Sequence, residues 1–228
     1  MIVNYLVNAE AAQATVAAIE SGGGTAMAMA ADACDQDQVR AMVGAVAAEH
    51  GHIDVLICNA NTRQPAFTSL ESLAWDDFIT KVTDELAGAF FITQRVLEVM
   101  RGQRNGQIIY ISSTTADYVG RGLISHSTAK SALNTFSRHV AAEAGPYGIT
   151  VNTIAPGAVR TEASAQIVTP EREKQVQAKS VLGRMLEPAD VAAVAGMIAD
   201  TTMGAVTGAV IRVDGGWGVL AGGPPSHA

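Results

Sequence analysis

Charged, aromatic and cysteine residues are all scarce in this sequence of 228 residues, and each shortage excludes a class of protein. The 15 Lys and Arg residues are outnumbered by 22 Asp and Glu residues, and a net charge of −7 repels nucleic acid and anionic membranes. The two cysteines, Cys34 and Cys58, form no Cys-x-x-Cys pair, so neither a disulfide framework nor a metal site is predicted. No stretch approaches the ~20 apolar residues of a membrane helix, and the residues after Met1 lack the basic segment of a signal peptide. A cytoplasmic protein that binds neither nucleic acid nor membrane is expected.

Hydrophobic residues are abundant instead, at 48% of the chain, which is enough for one sizeable core. β-prone runs alternate with helical segments along the sequence. The predicted strands are 2–7, 25–31, 53–58, 107–112, 150–154 and 209–213. Strands separated by helices of crossover length predict an α/β fold with a doubly wound parallel sheet. Residues 1–220 are predicted to form a single domain and residues 221–228 a flexible tail.

Several short motifs occur in a consistent order along the chain. They are Asn4-Tyr5, Ala31-Asp32, Asp54-Val55-Leu56-Ile57-Cys58-Asn59-Ala60, Ile111-Ser112-Ser113, Lys130, Val151-Asn152-Thr153-Ile154-Ala155-Pro156-Gly157 and Arg212-Val213-Asp214-Gly215-Gly216. Together they resemble the short-chain dehydrogenase/reductase family, particularly its β-ketoacyl carrier-protein reductase branch. The resemblance covers nearly the whole chain and implies a Rossmann-like fold.

The family normally opens with a strand and a Gly-rich turn that leads into a helix and holds the pyrophosphate of the cofactor. The first predicted strand of this chain resembles the second strand of the family, so the resemblance implies that this unit is absent. We therefore expect no cofactor, with NADP present only if a partner subunit binds it. Asp32, Asn59 and Thr161 match positions near the cofactor in the family and are interpreted as relics; for Asn59 a bond between neighbouring strands is the favoured role.

The absent strand lies at the centre of the family's sheet, which raises a question of topology. An empty slot would leave backbone groups unpaired, at about 1–3 kcal/mol for each buried group. We therefore expect residues 2–7 to pair with residues 53–58 and to close a six-stranded sheet in the order 2-1-3-4-5-6. The alternative is a strand donated by a partner chain.

The catalytic positions implied by the resemblance are partly substituted. The Tyr-x-x-x-Lys motif of the family corresponds to His126 and Lys130, the family serine to Ser113, and an asparagine that orients a water to Glu85. The imidazole of His126 is shorter than a phenol, and beside a lysine we expect it to be neutral. A glycine that lies against the cofactor in the family corresponds to Asn61.

The leading hypothesis from these substitutions is a non-catalytic, pseudoenzyme subunit. It would form an oligomer, with itself or with a full-length paralogue that acts on carrier-protein-bound β-hydroxy or β-keto acyl substrates, similar to the paired ketoreductases of some antibiotic pathways. The alternative is a cofactor-independent enzyme in which Ser113, His126 and Lys130, with Glu85, carry out proton transfer, elimination or cyclisation. Tyr118, in the loop after the fourth strand, is a candidate replacement acid. The third reading is an NAD(P)-dependent oxidoreductase.

Overall fold

The computed structural model describes residues 1–61, 63–161, 164 and 168–219, so the predicted tail at 221–228 lies outside the described residues. Strands and helices alternate as predicted, and every strand pair is parallel. The strands are β1 (Ile2–Tyr5), β2 (Met27–Ala30), β3 (Val55–Cys58), β4 (Gly106–Ile111), β5 (Ile149–Pro156) and β6 (Val210–Val213). The helices are α1 (Ala9–Ser21), α2 (Gln36–His50), α3 (Trp75–Gln103), α4 (Ile124–Ala144), α5 (Pro170–Lys179) and α6 (Pro188–Ile198).

The first two helices begin at the caps that the sequence indicates. The side chain of Asn8 accepts a hydrogen bond from the backbone N–H of Ala11 at 2.9 Å. Asp35 accepts from the backbone N–H groups of Asp37 and Gln38, so two of the four N–H groups that a helix start leaves open are satisfied. Both helices therefore begin at the residues that the sequence predicts.

The predicted pairing of β1 with β3 is wrong. β1 pairs with β2, whereas β3, β4, β5 and β6 form a separate four-stranded sheet in that order. Six strands are present and the partial orders 2-1 and 3-4-5-6 are found, but the continuous sheet 2-1-3-4-5-6 is not. No strand in the described part of the chain pairs with the second edge of β1 or of β3; the interval between these two edges (Ile2–Tyr5 and Val55–Cys58) is called the slot below.

Packing of α2 on α3 explains why the slot does not close. Val39 and Val43 of α2 are buried in the main hydrophobic cluster together with Val96 and Met100 of α3. The Cys34 thiol, just before α2, donates to the carbonyl oxygen of Asp84 in α3 at 3.4 Å. A shift of β1 by one strand spacing, ~4.8 Å, would pull α2 off this surface because β2 leads straight into α2.

Helices cover both faces of the four-stranded sheet at β4 and β5. On one face α2, α3 and α4 cover β4 and β5 in the main cluster, which includes Ile108 and Tyr110. On the other face α6 covers Ile109 and Ile154. Among the described residues, no helix is both long and apolar enough to cross a membrane. The carboxyl ends of β3 and β4 meet α3 and α4 at one edge, where the substituted family positions lie.

Candidate functional site

A buried ion triad, formed by Lys81, Glu85 and Lys130, lies between α3 and α4. Lys81 and Glu85 are one turn apart on α3, and Lys81 Nζ lies 2.6 Å from Glu85 Oε2. Lys130 Nζ on α4 lies 2.6 Å from Glu85 Oε1 and 2.8 Å from the carbonyl oxygen of Ile111 at the end of β4. Lys81 Nζ also donates to Asn61 Oδ1 at 2.7 Å. One carboxylate thus binds two ammonium groups.

The triad is almost fully withdrawn from solvent, with exposed fractions of 0% for Lys81, 5% for Glu85 and 6% for Lys130. Burial alone would raise the pKa of Glu85, but the ammonium groups of Lys130 and Lys81 outweigh it and lower that pKa. Burial lowers the pKa of Lys130, and the carboxylate of Glu85 opposes the shift. Removing the carboxylate would therefore leave two buried cations facing each other.

His126 lies one turn before Lys130 on α4 and is neutral at physiological pH. Burial, followed by the positive charges of Lys130 and Lys81, lowers the pKa of His126 to about 4. Its Nδ1 atom is buried without a hydrogen-bond partner among the described residues. At pH 7 the side chain therefore carries no imidazolium proton, and the N–H of a neutral imidazole is a weaker acid than a phenol.

Ser113 and Tyr118, the other two candidates for proton chemistry, are engaged elsewhere. The Ser113 hydroxyl oxygen caps the short 3-10 helix Thr114–Ala116 and accepts from both the backbone N–H and the hydroxyl of Thr115, at 3.2 and 3.0 Å. The Tyr118 hydroxyl donates to the carbonyl oxygen of Trp217 at 3.4 Å, and its ring lies beneath the guanidinium of Arg212. In the described part of the chain, neither hydroxyl has a hydrogen bond to His126 or Lys130.

The side chains that match cofactor positions of the family have local roles. Asp32 accepts from the backbone N–H of Cys34 at 2.8 Å, and Thr161 exchanges hydrogen bonds with Ser164. The expected bond of Asn59 between strands is not found: this residue is exposed and has no hydrogen-bond partner among the described residues. Lys130 and Lys81 are likewise held by protein groups, Lys130 by Glu85 and Lys81 by Asn61.

A cavity of about 510 Å³ lies between the loop after β4 and the first turns of α4, and none of the three triad side chains lines it. Hydroxyl and apolar groups line it, among them those of Thr115, Ser127, Thr128 and Ser131. Across the described ranges, no group of three or more His, Cys, Asp or Glu side chains could hold a metal ion.

Lys81 is the site residue that the sequence analysis missed. It belongs to no motif of the resemblance, yet its four-residue spacing from Glu85 places both side chains on one face of a predicted helix. The signal available in the sequence was a lysine one helical turn before Glu85.

A parallel sheet with helices on both faces is the architecture of the Rossmann-like α/β class. Comparison with known proteins identifies the family within this class. A family model described as "Enoyl-(Acyl carrier protein) reductase" matches residues 1–218. The chain belongs to the short-chain dehydrogenase/reductase family.

The relatives are oxidoreductases and are longer than this chain. The short-chain reductase protein NovJ of Streptomyces niveus is 35% identical over 90% of this chain and 79% of its own length. The 3-oxoacyl-[acyl-carrier-protein] reductase FabG of Staphylococcus aureus strain Mu50 is 31% identical over 94% of this chain and 86% of its own. A gluconate 5-dehydrogenase from Burkholderia cenocepacia, solved with NADP and tartrate, superposes with a TM-score of 0.87 at 25% identity over 96% of this chain and 86% of that one.

Proposed function

We propose that this chain is a non-catalytic subunit of the short-chain dehydrogenase/reductase family, which supports an active, full-length relative in a hetero-oligomer. The relative would reduce or oxidise the β-carbon of a carrier-bound acyl substrate. That substrate class rests on the similarity to FabG, whose name specifies a 3-oxoacyl carrier-protein substrate.

The observation that carries the proposal is the ion triad. Lys130, the lysine that the resemblance places next to the catalytic phenol, instead donates to Glu85 and to the carbonyl oxygen of Ile111. The phenol itself is replaced by His126, whose pKa of about 4 leaves it without a proton to give as an imidazolium. Reduction of a ketone needs a proton for the nascent alkoxide, and the phenol that would supply it in the family is absent from this position.

An apolar patch on the outer faces of α3 and α4 supports the role in assembly. Phe90 is 46% exposed, and its ring centroid lies 6.1 Å from that of Phe136 on α4. Phe91 meets Phe90 edge-on at 5.8 Å. Phe91 and Phe136 also pack against the main cluster, so Phe90 is the exposed ring of the three, and aromatic residues are enriched in protein–protein interfaces.

The test is co-expression of this chain with a full-length family member from the same host that retains Tyr-x-x-x-Lys. We expect the two chains to co-purify and the reductase to have a higher kcat/KM for a β-keto thioester with this chain than without it. Phe90→Lys should abolish co-purification, whereas Val119→Lys, at a fully exposed position outside the patch, should not. Unchanged kcat/KM and separate elution of the two chains would contradict the proposal.

The rival function, an NAD(P)-dependent oxidoreductase, is favoured by the relatives, one of which was solved with NADP. An assay of NADPH oxidation by the wild-type chain separates the two. If the substitutions at the site prevent turnover, the wild-type chain should oxidise no NADPH under conditions in which the relatives oxidise it. NADPH-dependent turnover by the wild-type chain would establish the rival.

A further inference from the structure

The cavity between the loop after β4 and the first turns of α4 lies apart from the ion triad. Its volume of about 510 Å³ is within the range of ~300–1,000 Å³ that is typical of small-molecule sites. Ser113, His126 and Lys130, which match the catalytic positions of the family, are not among the described residues that line it. A ligand in this cavity would therefore use contacts other than those positions.

Three segments of the chain form the walls of the cavity. They are residues 115–120 after β4, the α4 residues Ser127, Thr128 and Ser131, and the pair Thr68 and Leu70 before α3. Gly122, which also lines the cavity, has a φ of 74°, in the left-handed region that favours glycine. A Cβ at this position would lie 3.4 Å from the backbone nitrogen of Thr68. Close backbone contact between the two loops therefore joins two of the walls.

Two hydroxyl groups in the walls offer acceptors rather than donors. Thr115 donates its hydroxyl proton to Ser113 Oγ at 3.0 Å, and Ser131 donates to the carbonyl oxygen of Ala116 at 2.9 Å. A hydroxyl has one proton and two lone pairs, so both oxygens keep lone pairs after these bonds are made. Each of these oxygens can therefore accept a hydrogen bond from a ligand but has no further proton to donate.

Asp117 adds a negative charge to these acceptors. It is the one charged side chain among the described residues that line the cavity, and its carboxylate has no hydrogen-bond or ion-pair partner in the part of the chain that the structure describes. The guanidinium of Arg212, which lies over the Tyr118 ring, is already paired with Asp214. The cavity therefore favours a ligand group that combines a positive charge with several N–H donors, which are the properties of an ammonium group.

A further hydroxyl in the wall is buried without a partner. Ser127 Oγ is inaccessible to solvent and has no hydrogen bond among the described residues. Native proteins pair the large majority of their buried polar atoms, because an unpaired one has lost its bonds to water without replacement. An N–H of a ligand bound in the cavity would supply the missing partner of this oxygen.

Large apolar side chains lie around the same cavity. Leu70, Val119 and Ile124 line it and are 73%, 103% and 37% exposed. Contact with a ligand would remove part of this apolar surface from water, which is favourable. The ligand should therefore carry an apolar group in addition to its ammonium group.

We propose that this cavity binds a small organic amine. The ammonium group would lie near Asp117 and Ser127, and the apolar part of the ligand would lie against the exposed side chains of Leu70, Val119 and Ile124. This site goes beyond the role in assembly proposed above, and it does not depend on whether the chain catalyses a reaction.

Titration followed by heteronuclear NMR tests the proposal. The probes are hexylamine, hexanol and hexanoate, which share an aliphatic chain and differ in the charge of the head group. We expect hexylamine to bind at least about tenfold more tightly than hexanoate, with hexanol between them. Changes in amide chemical shift should be confined to residues 68–70, 115–120 and 122–131. Equal affinities for the amine and the carboxylate, or shifts spread over the whole surface, would overturn the proposal.

Asp117→Asn distinguishes this site from the general attraction of a negatively charged protein for a cation. We expect it to lower the affinity for hexylamine to that for hexanol. Glu49→Gln removes the same charge from an exposed position on α2 and should leave the affinity unchanged. Equal effects of the two variants, or no effect of Asp117→Asn, would contradict the site.

A second pair of variants tests whether the probe occupies the cavity. Thr128→Trp, at an exposed lining position, should fill the cavity and prevent binding of all three probes. Val119→Lys is the alternative in case the tryptophan prevents folding, because an ammonium group at the edge of the cavity should repel hexylamine. Undiminished binding of hexylamine by these variants would refute the location. Sedimentation velocity that shows a dimer of the free chain, from which hexylamine is excluded, would assign the cavity to a second copy and overturn the proposal.

Discussion

A single carboxylate, Glu85, balances two buried ammonium groups, and this makes the stability of the site asymmetric. Glu85→Gln leaves Lys81 and Lys130 without an anion, and we expect it to lower the free energy of unfolding by about 3–5 kcal/mol. Lys81→Met leaves a one-to-one pair of Glu85 and Lys130 and should cost about 1 kcal/mol or less. Urea unfolding of the two variants, followed by circular dichroism, measures the difference. Equal losses would contradict the ion triad.

His126 makes stability depend on pH. Its pKa of about 4 in the folded protein lies below the ~6.5 of the unfolded chain, so between these values the unfolded state binds a proton that the folded state does not. Stability is therefore lost as pH falls from 6.5 through 4, by roughly 3 kcal/mol from this residue. His126→Asn should flatten that part of the profile, whereas His139→Asn, at an exposed position on the same helix, should leave it unchanged. Parallel profiles for wild type and His126→Asn would refute the assignment.

At the scale of elements, packing of α2 on α3 decides where the β1–β2 unit lies. Val39 is fully buried in this contact. We expect Val39→Ala to lower the free energy of unfolding by about 2 kcal/mol, because it removes two buried methyl groups and leaves a cavity. Faster amide exchange in β1 and β2 should accompany the loss. Val46→Ala, at a half-buried position on the same helix, is the control and should cost less. An unchanged exchange rate in β1 and β2 would show that another contact holds this unit.

Local signals in the sequence predict these helices and strands well, but they do not predict how the two sheets lie relative to each other along the strand order. Asn8 and Asp35 mark helix starts because a cap needs only groups a few residues away. The separation of β1 from β3 depends on the fit of Val39 and Val43 against α3, which no local pattern encodes. The site divides in the same way: the spacing of Lys81 and Glu85 on α3 is a local signal, whereas the approach of Lys130 to the same carboxylate depends on the packing of α3 on α4.

For the whole molecule, two features bear on the proposed function: a neutral His126 at the position that corresponds to the proton donor of the family, and a sheet divided between β1–β2 and β3–β6. Both are compatible with the proposed subunit, whose contribution to a complex would be binding rather than turnover.

The most direct test of the central claim is the oxidation of NADPH by the purified chain in the presence of a β-keto thioester, followed by absorbance over hours. Staphylococcus aureus FabG, assayed under the same conditions, provides the positive control. We predict no rate above that of the buffer for this chain, at any pH from 5 to 9. Saturable NADPH oxidation with formation of the β-hydroxy thioester would contradict the account.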